Sequence, residues 1–165
     1  MITKILSFIE RRKKEVKKLY DRTLPINEYF NDRWEKAKEL NFGKGTSIYD
    51  NSYIFGEVTI GENTWVGPFT ILDGTGGLKI GSNCSISAGV HIYTHDSVKW
   101  AISGGSEVYE YESVEIGDNC YIGPNTVIAK GVKIGSQCII GANSFVNTDI
   151  PEGIKAAGSP VRLIK

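Results

Sequence analysis

The chain has two histidines, His91 and His95, and these limit where acid–base chemistry can occur. An imidazole is the natural base for taking a proton from a hydroxyl or amine near neutral pH. His95 lies in Tyr93-Thr94-His95-Asp96, where a regular six-residue pattern gives way to a segment that runs unpatterned to about 115. Repeat proteins often carry function where the repeat is interrupted. His95 is therefore the candidate base, with an ordinary loop histidine as the alternative. His91 closes its repeat unit and reads as a structural residue. The three cysteines, Cys84, Cys120 and Cys138, all fall at one position of the pattern and read as small interior filler. No CxxC occurs, so a thiolate zinc site is not expected, and free thiols fit a reducing cytoplasm.

The pattern that places these residues is a hexad. Aliphatic side chains recur six apart at Ile48, Ile54, Ile60, Val66 and Leu72. The step resumes, two residues late, at Ile80, Ile86 and Ile92, and again from Ile116 through Ile122, Ile128, Ile134 and Ile140 to Val146. A small residue usually follows each of them. Position five is small or β-branched, and all three cysteines sit there. A period of six is too short for helix pairs and predicts a parallel β-helix, each hexad forming one flat strand and a corner. With three hexads per coil, the fold class is an all-β repeat of four to five coils. The hexads starting at 54, 72, 92, 128 and 146 then share a face. On that count Asp73 lies one coil below Tyr93, where its carboxylate could orient His95 or contact an acceptor. Asp96 competes for the orienting role. The extra residues, in Gly74-Thr75-Gly76-Gly77, lack the lysine and Ser/Thr of a phosphate loop and read as a corner insertion.

Residues 1–44 differ in kind. They carry twelve Lys/Arg against seven Asp/Glu, whereas residues 45–165 carry seven against twelve. Ile2, Ile5, Leu6, Ile9, Val16, Leu19 and Tyr20 form one apolar stripe on a helix. Thr23-Leu24-Pro25 stops it, and a second helix is expected over about 27–41, with Phe30, Trp34, Ala37 and Leu40 inward. These helices read as a cap on the open end of the solenoid. A basic amphipathic helix on an anionic membrane surface is the alternative. Overall the charges cancel at nineteen each, so nucleic-acid binding has no global charge argument. No apolar run approaches the roughly 18 residues of a membrane span. Charges interrupt every apolar stretch from Lys4 onward, so no signal peptide is expected and the expected location is cytoplasmic.

Over residues 45–165 these hexads resemble the hexapeptide-repeat acetyltransferases, and within them the galactoside and maltose acetyltransferases and bacterial polysaccharide O-acetyltransferases. The resemblance implies a left-handed β-helix, acetyl-CoA as cosubstrate, no metal, and a homotrimer with active sites between subunits. With the charge division this gives two units, a helical cap over 1–44 and, from the resemblance, a β-helix acyltransferase domain over 45–165 with an active-site loop at about 93–115. His95 aligns with the family's catalytic histidine, and Asp73 with a corner that carries acceptor-binding carboxylates. Ala142 matches a position where a small residue borders the pantetheine arm, and Pro124 another cosubstrate-contact position, where the family often has serine. Arg162 and Lys165 match the basic residues of the closing motif that meet CoA phosphates. Asn147-Thr148 stands where the family commonly has Thr-Lys, so one cation is missing, and Lys130 or Lys155 could replace it. The family's acceptor asparagine is also absent, since the matching stretch reads Val66-Gly67-Pro68-Phe69.

Trp100, Tyr109 and Tyr111 could stack on a sugar ring or form the loop's own core. Glu107, Glu110 and Glu112 make the loop acidic, which disfavours a nucleotide-linked acceptor. Backbone N–H groups at Gly104-Gly105 or Gly123 are the expected oxyanion donors. The leading reading is an acetyl-CoA-dependent O-acetyltransferase of a sugar or polysaccharide hydroxyl, in polysaccharide biosynthesis. The alternatives are an N-acetyltransferase of a nucleotide-linked amino sugar and a non-enzymatic binding scaffold. A zinc hydrase of related fold needs three histidines, and this chain has two.

Overall fold

The protein is described from a computed structural model covering residues 1–164. Helix α1 spans Ile2–Tyr20 and ends at Asp21 in the left-handed conformation (φ 51°). The expected second helix is broken into two pieces. A 3₁₀ turn, Ile26–Tyr29, follows Pro25, and helix α2 begins only at Arg33 and runs to Glu39. Asp32 sets that start, because its carboxylate accepts the Trp34 N–H (2.9 Å) while Glu35 accepts the Asp32 N–H (3.3 Å). The break rotates the apolar residues. Tyr29 and Ala37 are the buried ones, whereas Phe30 is 54% and Trp34 37% exposed. Phe30 stacks on Phe8, and Trp34 meets Tyr20 at a tilt of 36°, so both pair with α1 and not with the core, where they were expected.

Ala37 and Phe42 join the core beneath Ile48 and Ile60, so α2 covers the first coil. The Lys36 ammonium is anchored there on the carbonyls of Asp50 (2.9 Å) and Tyr49 (3.2 Å). On α1 only Ile9 and Val16 are buried, and its first turns project Met1, Ile2, Ile5 and Leu6 outward. No helix among the described residues is long and apolar enough to cross a membrane.

The remainder is a left-handed parallel β-helix with three faces. On the first face Ile48, Val66, Ile86, Ile122, Ile140 and Ala156 lie in register on successive strands. The second face stacks Ile54, Leu72, Ile92, Ile128 and Val146. The third stacks Ile60, Ile80, Ile116, Ile134 and Ile150. The first face thus has six parallel layers, which corrects the expectation of four to five coils. The added rungs break the step of six. Ile150 comes four residues after Val146, and the last rung is an alanine, so neither matches the template.

Nearly all rung side chains are fully buried. Each contributes about 1.5–3 kcal/mol, and stacking identical positions makes the interior one continuous column. Asn63, Asn83, Asn119, Asn125 and Asn143 turn corners with φ between 53° and 60°. Asparagine tolerates that left-handed conformation. At Gly123 a Cβ would come 2.5 Å from the Ala142 amide nitrogen of the next coil, so this corner admits no side chain. The cysteines do more than fill space. They continue a column of donors to carbonyls one coil on, from Thr46 to Gly61 (2.7 Å) and Thr64 to Gly81 (2.9 Å), through Cys84 to Gly117 (3.2 Å) and Cys120 to Gly135 (3.1 Å).

The segment after Ile92 leaves the solenoid at the corner between the second and third faces and rejoins at Val114–Ile116. It forms a two-stranded antiparallel ribbon, His95–Asp96 against Glu110–Tyr111, joined through helix α3 (Val98–Ile102). At the other end Arg162–Ile164 folds back antiparallel on Lys155–Ala157 and covers the edge of the first face.

Candidate active site

Asp73 is the first residue beyond the rung Leu72, which pairs with Ile92, so the register carries it directly beneath the start of the loop. Its carboxylate is 1% exposed. One oxygen, Oδ1, accepts the Thr75 hydroxyl (2.7 Å) and the Thr75 N–H (3.0 Å). The other, Oδ2, accepts the Thr94 N–H (2.9 Å) and lies 2.6 Å from His95 Nδ1. Burial alone would raise the pKa of this carboxyl. The hydrogen bonds from Thr75, Thr94 and His95 outweigh it and hold the group down at about 2.

An ionised carboxylate only accepts, so His95 Nδ1 is the donor in the contact between them. The ring proton then sits on Nδ1, and Nε2 keeps a free lone pair. Asp96 is turned away from this contact. Its Oδ1 accepts the Val98 N–H (3.0 Å) and its Oδ2 faces Lys130 (3.5 Å). With both oxygens buried and engaged, Asp73 has the geometry of an orienting group and offers no exposed oxygen to an acceptor.

The ribbon sets the surroundings of the imidazole, which is about one third exposed (33%). Tyr111 lies opposite His95 in the ribbon and stacks on it at 5.8 Å, and Tyr109 stacks at 6.2 Å with 9° between the planes. Trp100 meets Tyr109 edge-on at 5.8 Å. The loop aromatics therefore pack on the candidate base itself while leaving part of each ring open. The acidity of the loop is partly offset. Lys130 meets Glu112 (2.7 Å), Glu110 (3.3 Å) and Asp96, and Lys99 meets Glu110 (2.6 Å). These contacts raise the pKa of Lys130, chiefly through the hydrogen bond to Glu112. Lys130 is thus engaged by three carboxylates of the loop.

The other expected residues occupy different places. Pro124 and Ala142 lie on adjacent coils at the corner between the first and second faces, where the Asn143 N–H donates to the Pro124 carbonyl (2.8 Å). Asn147 and Thr148 are exposed, after the last rung of the second face. Arg162 is exposed on the terminal strand, and its guanidinium hydrogen bonds only to the Val161 carbonyl among the described residues (2.9 Å). Lys165 lies outside the described residues. No hydrogen bond among the described residues joins the His95 corner to Pro124 or Ala142.

The N–H groups of Gly104, Gly105 and Gly123 donate to Ala101, Trp100 and Ile140, so none is free to receive an oxyanion as expected. Thr75, Thr94 and Lys130 belong to the site and were not anticipated in these roles. The one available signal was Thr75, inside the insertion that follows Asp73. Among the described residues no group of three or more His, Cys, Asp or Glu is placed to hold a metal ion.

Comparison with known proteins agrees with this architecture. Residues 113–148 match the family described as bacterial transferase hexapeptide (six repeats). Residues 57–94 match the hexapeptide repeat of succinyl-transferase. Protein CapG of Staphylococcus aureus is 42% identical over 89 residues, 53% of this chain and 52% of that protein. Galactoside O-acetyltransferase of Escherichia coli K12 is 31% identical over 128 residues, 65% of this chain and 63% of that protein. The chain thus spans about half the length of the first relative and under two thirds of the second. Among solved structures, a hexapeptide-repeat-containing acetyltransferase from Vibrio cholerae O1 biovar eltor, complexed with acetyl coenzyme A, superposes with a TM-score of 0.72 at 25% identity. That match covers 99% of this chain and 87% of the other.

Proposed function

We propose that this chain, whose hexads match the bacterial transferase hexapeptide and succinyl-transferase hexapeptide families, is a hexapeptide-repeat acetyltransferase that transfers an acetyl group from acetyl-CoA to a hydroxyl of a sugar or polysaccharide. One observation carries the reading: the 2.6 Å contact between His95 Nδ1 and the buried, ionised Asp73. It directs the free lone pair of Nε2 outward from the ring. There Nε2 takes the proton of an acceptor hydroxyl as that oxygen attacks the thioester carbonyl. The new C–O bond gives a tetrahedral oxyanion. Its collapse breaks the C–S bond, and the departing sulfur takes the proton from the imidazolium, which Asp73 stabilises meanwhile. The products are an acetyl ester and free CoA, and the base is regenerated. No metal is needed in this sequence.

The cosubstrate reading draws support from the acetyl-CoA complex of the Vibrio cholerae relative. Arg162, exposed and without an ion pair among the described residues, is the proposed phosphate contact, together with Lys165 three residues on in sequence. Pro124, Ala142, Asn147 and Thr148 are proposed to border the cosubstrate. Trp100 and Tyr109 offer apolar faces to a sugar ring next to the base.

The proposed working form is a homotrimer. His95 and the Pro124/Ala142 corner lie on different edges of one prism, so a neighbouring chain is needed to bring such edges together. The test is thiol release from acetyl-CoA with neutral sugars, oligosaccharides and nucleotide-linked amino sugars. Wild type should turn over a hydroxyl acceptor. His95→Ala should lose about 10²–10⁴-fold in kcat. A variant that matches wild type would remove His95 as the base. Turnover confined to amino sugars would make the reaction N-acetylation.

A further inference from the structure

We propose that Lys130 is the positioning residue of the catalytic loop, a single cation that holds both strands of the ribbon in the arrangement that fixes the His95 ring. Its catalytic consequence rests on the acetyl-transfer reading above. The placement follows from register. Ile128 pairs with Ile92, and Lys130 is two residues past Ile128 as Thr94 is two past Ile92. Lys130 therefore lies one coil above the residue that precedes His95, on the rigid body of the solenoid.

From there its ammonium reaches Asp96 on one strand of the ribbon, Glu110 on the other, and Glu112 just beyond it, at 3.5, 3.3 and 2.7 Å. Asp96 and Glu110 are themselves a ribbon pair, next to the pair His95 and Tyr111. Three carboxylates this close repel one another unless a cation sits among them. The Lys130 side chain is 16% exposed, whereas Asp96, Glu110 and Glu112 are 35, 35 and 58% exposed, so the ammonium is enclosed by carboxylates that themselves reach water. Lys99 also meets Glu110, but its side chain is 57% exposed and it rides on the loop itself, so it cannot tie the loop to the solenoid. The backbone meets at the same point. The Gly131 N–H faces the Glu112 carbonyl (3.4 Å), the Glu112 N–H donates to Thr94 (2.9 Å), and a Cβ on Gly131 would come 2.5 Å from Glu112 Oε2. Loss of the cation would untie the Glu110 and Glu112 side chains from the solenoid, leaving Glu110 only its loop-borne partner Lys99, and would loosen the Tyr109 and Tyr111 rings that flank the imidazole.

The experiment compares full-length wild type, Lys130→Met and Lys130→Arg in steady-state acetyl transfer and in amide hydrogen exchange. For Lys130→Met, kcat should fall about 10–100-fold, because misplacement of a reacting group by about an ångström costs that much. KM for acetyl-CoA should change less than about twofold, the sign that uniform binding is untouched. Exchange should accelerate over residues 94–112 and stay unchanged in the rungs. Lys130→Arg should recover most of kcat. A raised KM with wild-type kcat would instead make Lys130 a phosphate contact and overturn the proposal, as would wild-type exchange in the loop of Lys130→Met. If Lys130→Met fails to fold, the charge-exchanged Lys130→Glu/Glu112→Lys carries the same test against wild type: loop exchange close to wild type supports the proposal, and loop exchange accelerated over residues 94–112 despite the restored opposite charges overturns it. If wild type shows no acetyl transfer, that reading fails by itself, while loop exchange still decides the role of Lys130.

Discussion

Asp73 is a buried carboxylate whose charge is held by donors, and both its catalytic and its stability roles follow from that. In Asp73→Asn the side-chain amide can donate to His95 Nδ1, which moves the ring proton to Nε2 and removes the base. The expected loss in kcat is about 10²–10⁴-fold, with KM for acetyl-CoA little changed. Stability gives a second readout. The folded carboxyl sits at about 2, below its usual 3.8, so the unfolded chain binds a proton more readily. The stabilisation is fully present above pH 3.8 and is lost as pH falls through about 2. Thermal melts of wild type should therefore decline between pH 4 and pH 2 more steeply than those of Asp73→Asn. Parallel declines would mean that Asp73 is not the group being protonated. That Asp73 lies one coil below the start of the His95 loop was legible from the hexads once the two-residue insertion after Leu72 is counted, whereas the choice between orienting His95 and contacting an acceptor was not. Thr75 and Thr94 were not, because corner residues obey no period and their hydroxyls are aimed by local backbone.

Among the elements, the coils repeat their internal hydrogen bonds as faithfully as their rungs, and one exception makes a prediction. Ser52 donates to Gly67 (3.1 Å) and Thr126 to Gly141 (3.1 Å) at the corner leading into the second face. Thr70 occupies the same place between them, is fully buried, and its hydroxyl has no partner among the described residues. Val90 fills that place in the next coil. Thr70→Val should leave the fold intact and raise stability by about 1 kcal/mol, measured by denaturant unfolding at constant m. A loss of similar size would mean that the hydroxyl has a partner after all. The same regularity explains what the hexads hid. The number of layers was undercounted because Ile150 and Ala156 close the helix out of step. The second helix was overextended because an apolar spacing compatible with 27–41 outweighed the cap signal of Asp32 and Glu35. The ribbon at His95–Asp96 and Glu110–Tyr111 lay in a segment with no period to read.

At the scale of the whole molecule, the prism divides the proposed site. His95 and Asp73 occupy the edge between the second and third faces, and Pro124 and Ala142 the edge between the first and second. One rigid solenoid cannot fold these edges together, since each rung is locked to the next by backbone hydrogen bonds. A closed ring of three chains can, because every heterologous contact sets one edge of a chain against a different edge of its neighbour. Two inactive variants should then rescue each other. His95→Ala removes the base, and Ala142→Trp fills the edge proposed to border the pantetheine arm, so each alone should be inactive. Dissociated and reassembled at equal amounts, they form mixed trimers in which about a quarter of the interfaces pair an intact histidine edge with an intact Ala142 edge. Acetyl transfer should return to about that fraction of the wild-type rate per site, with the trimer mass checked by light scattering. Mixed trimers that stay inactive would mean that both halves of each site belong to one chain, and the division read from the prism would be wrong.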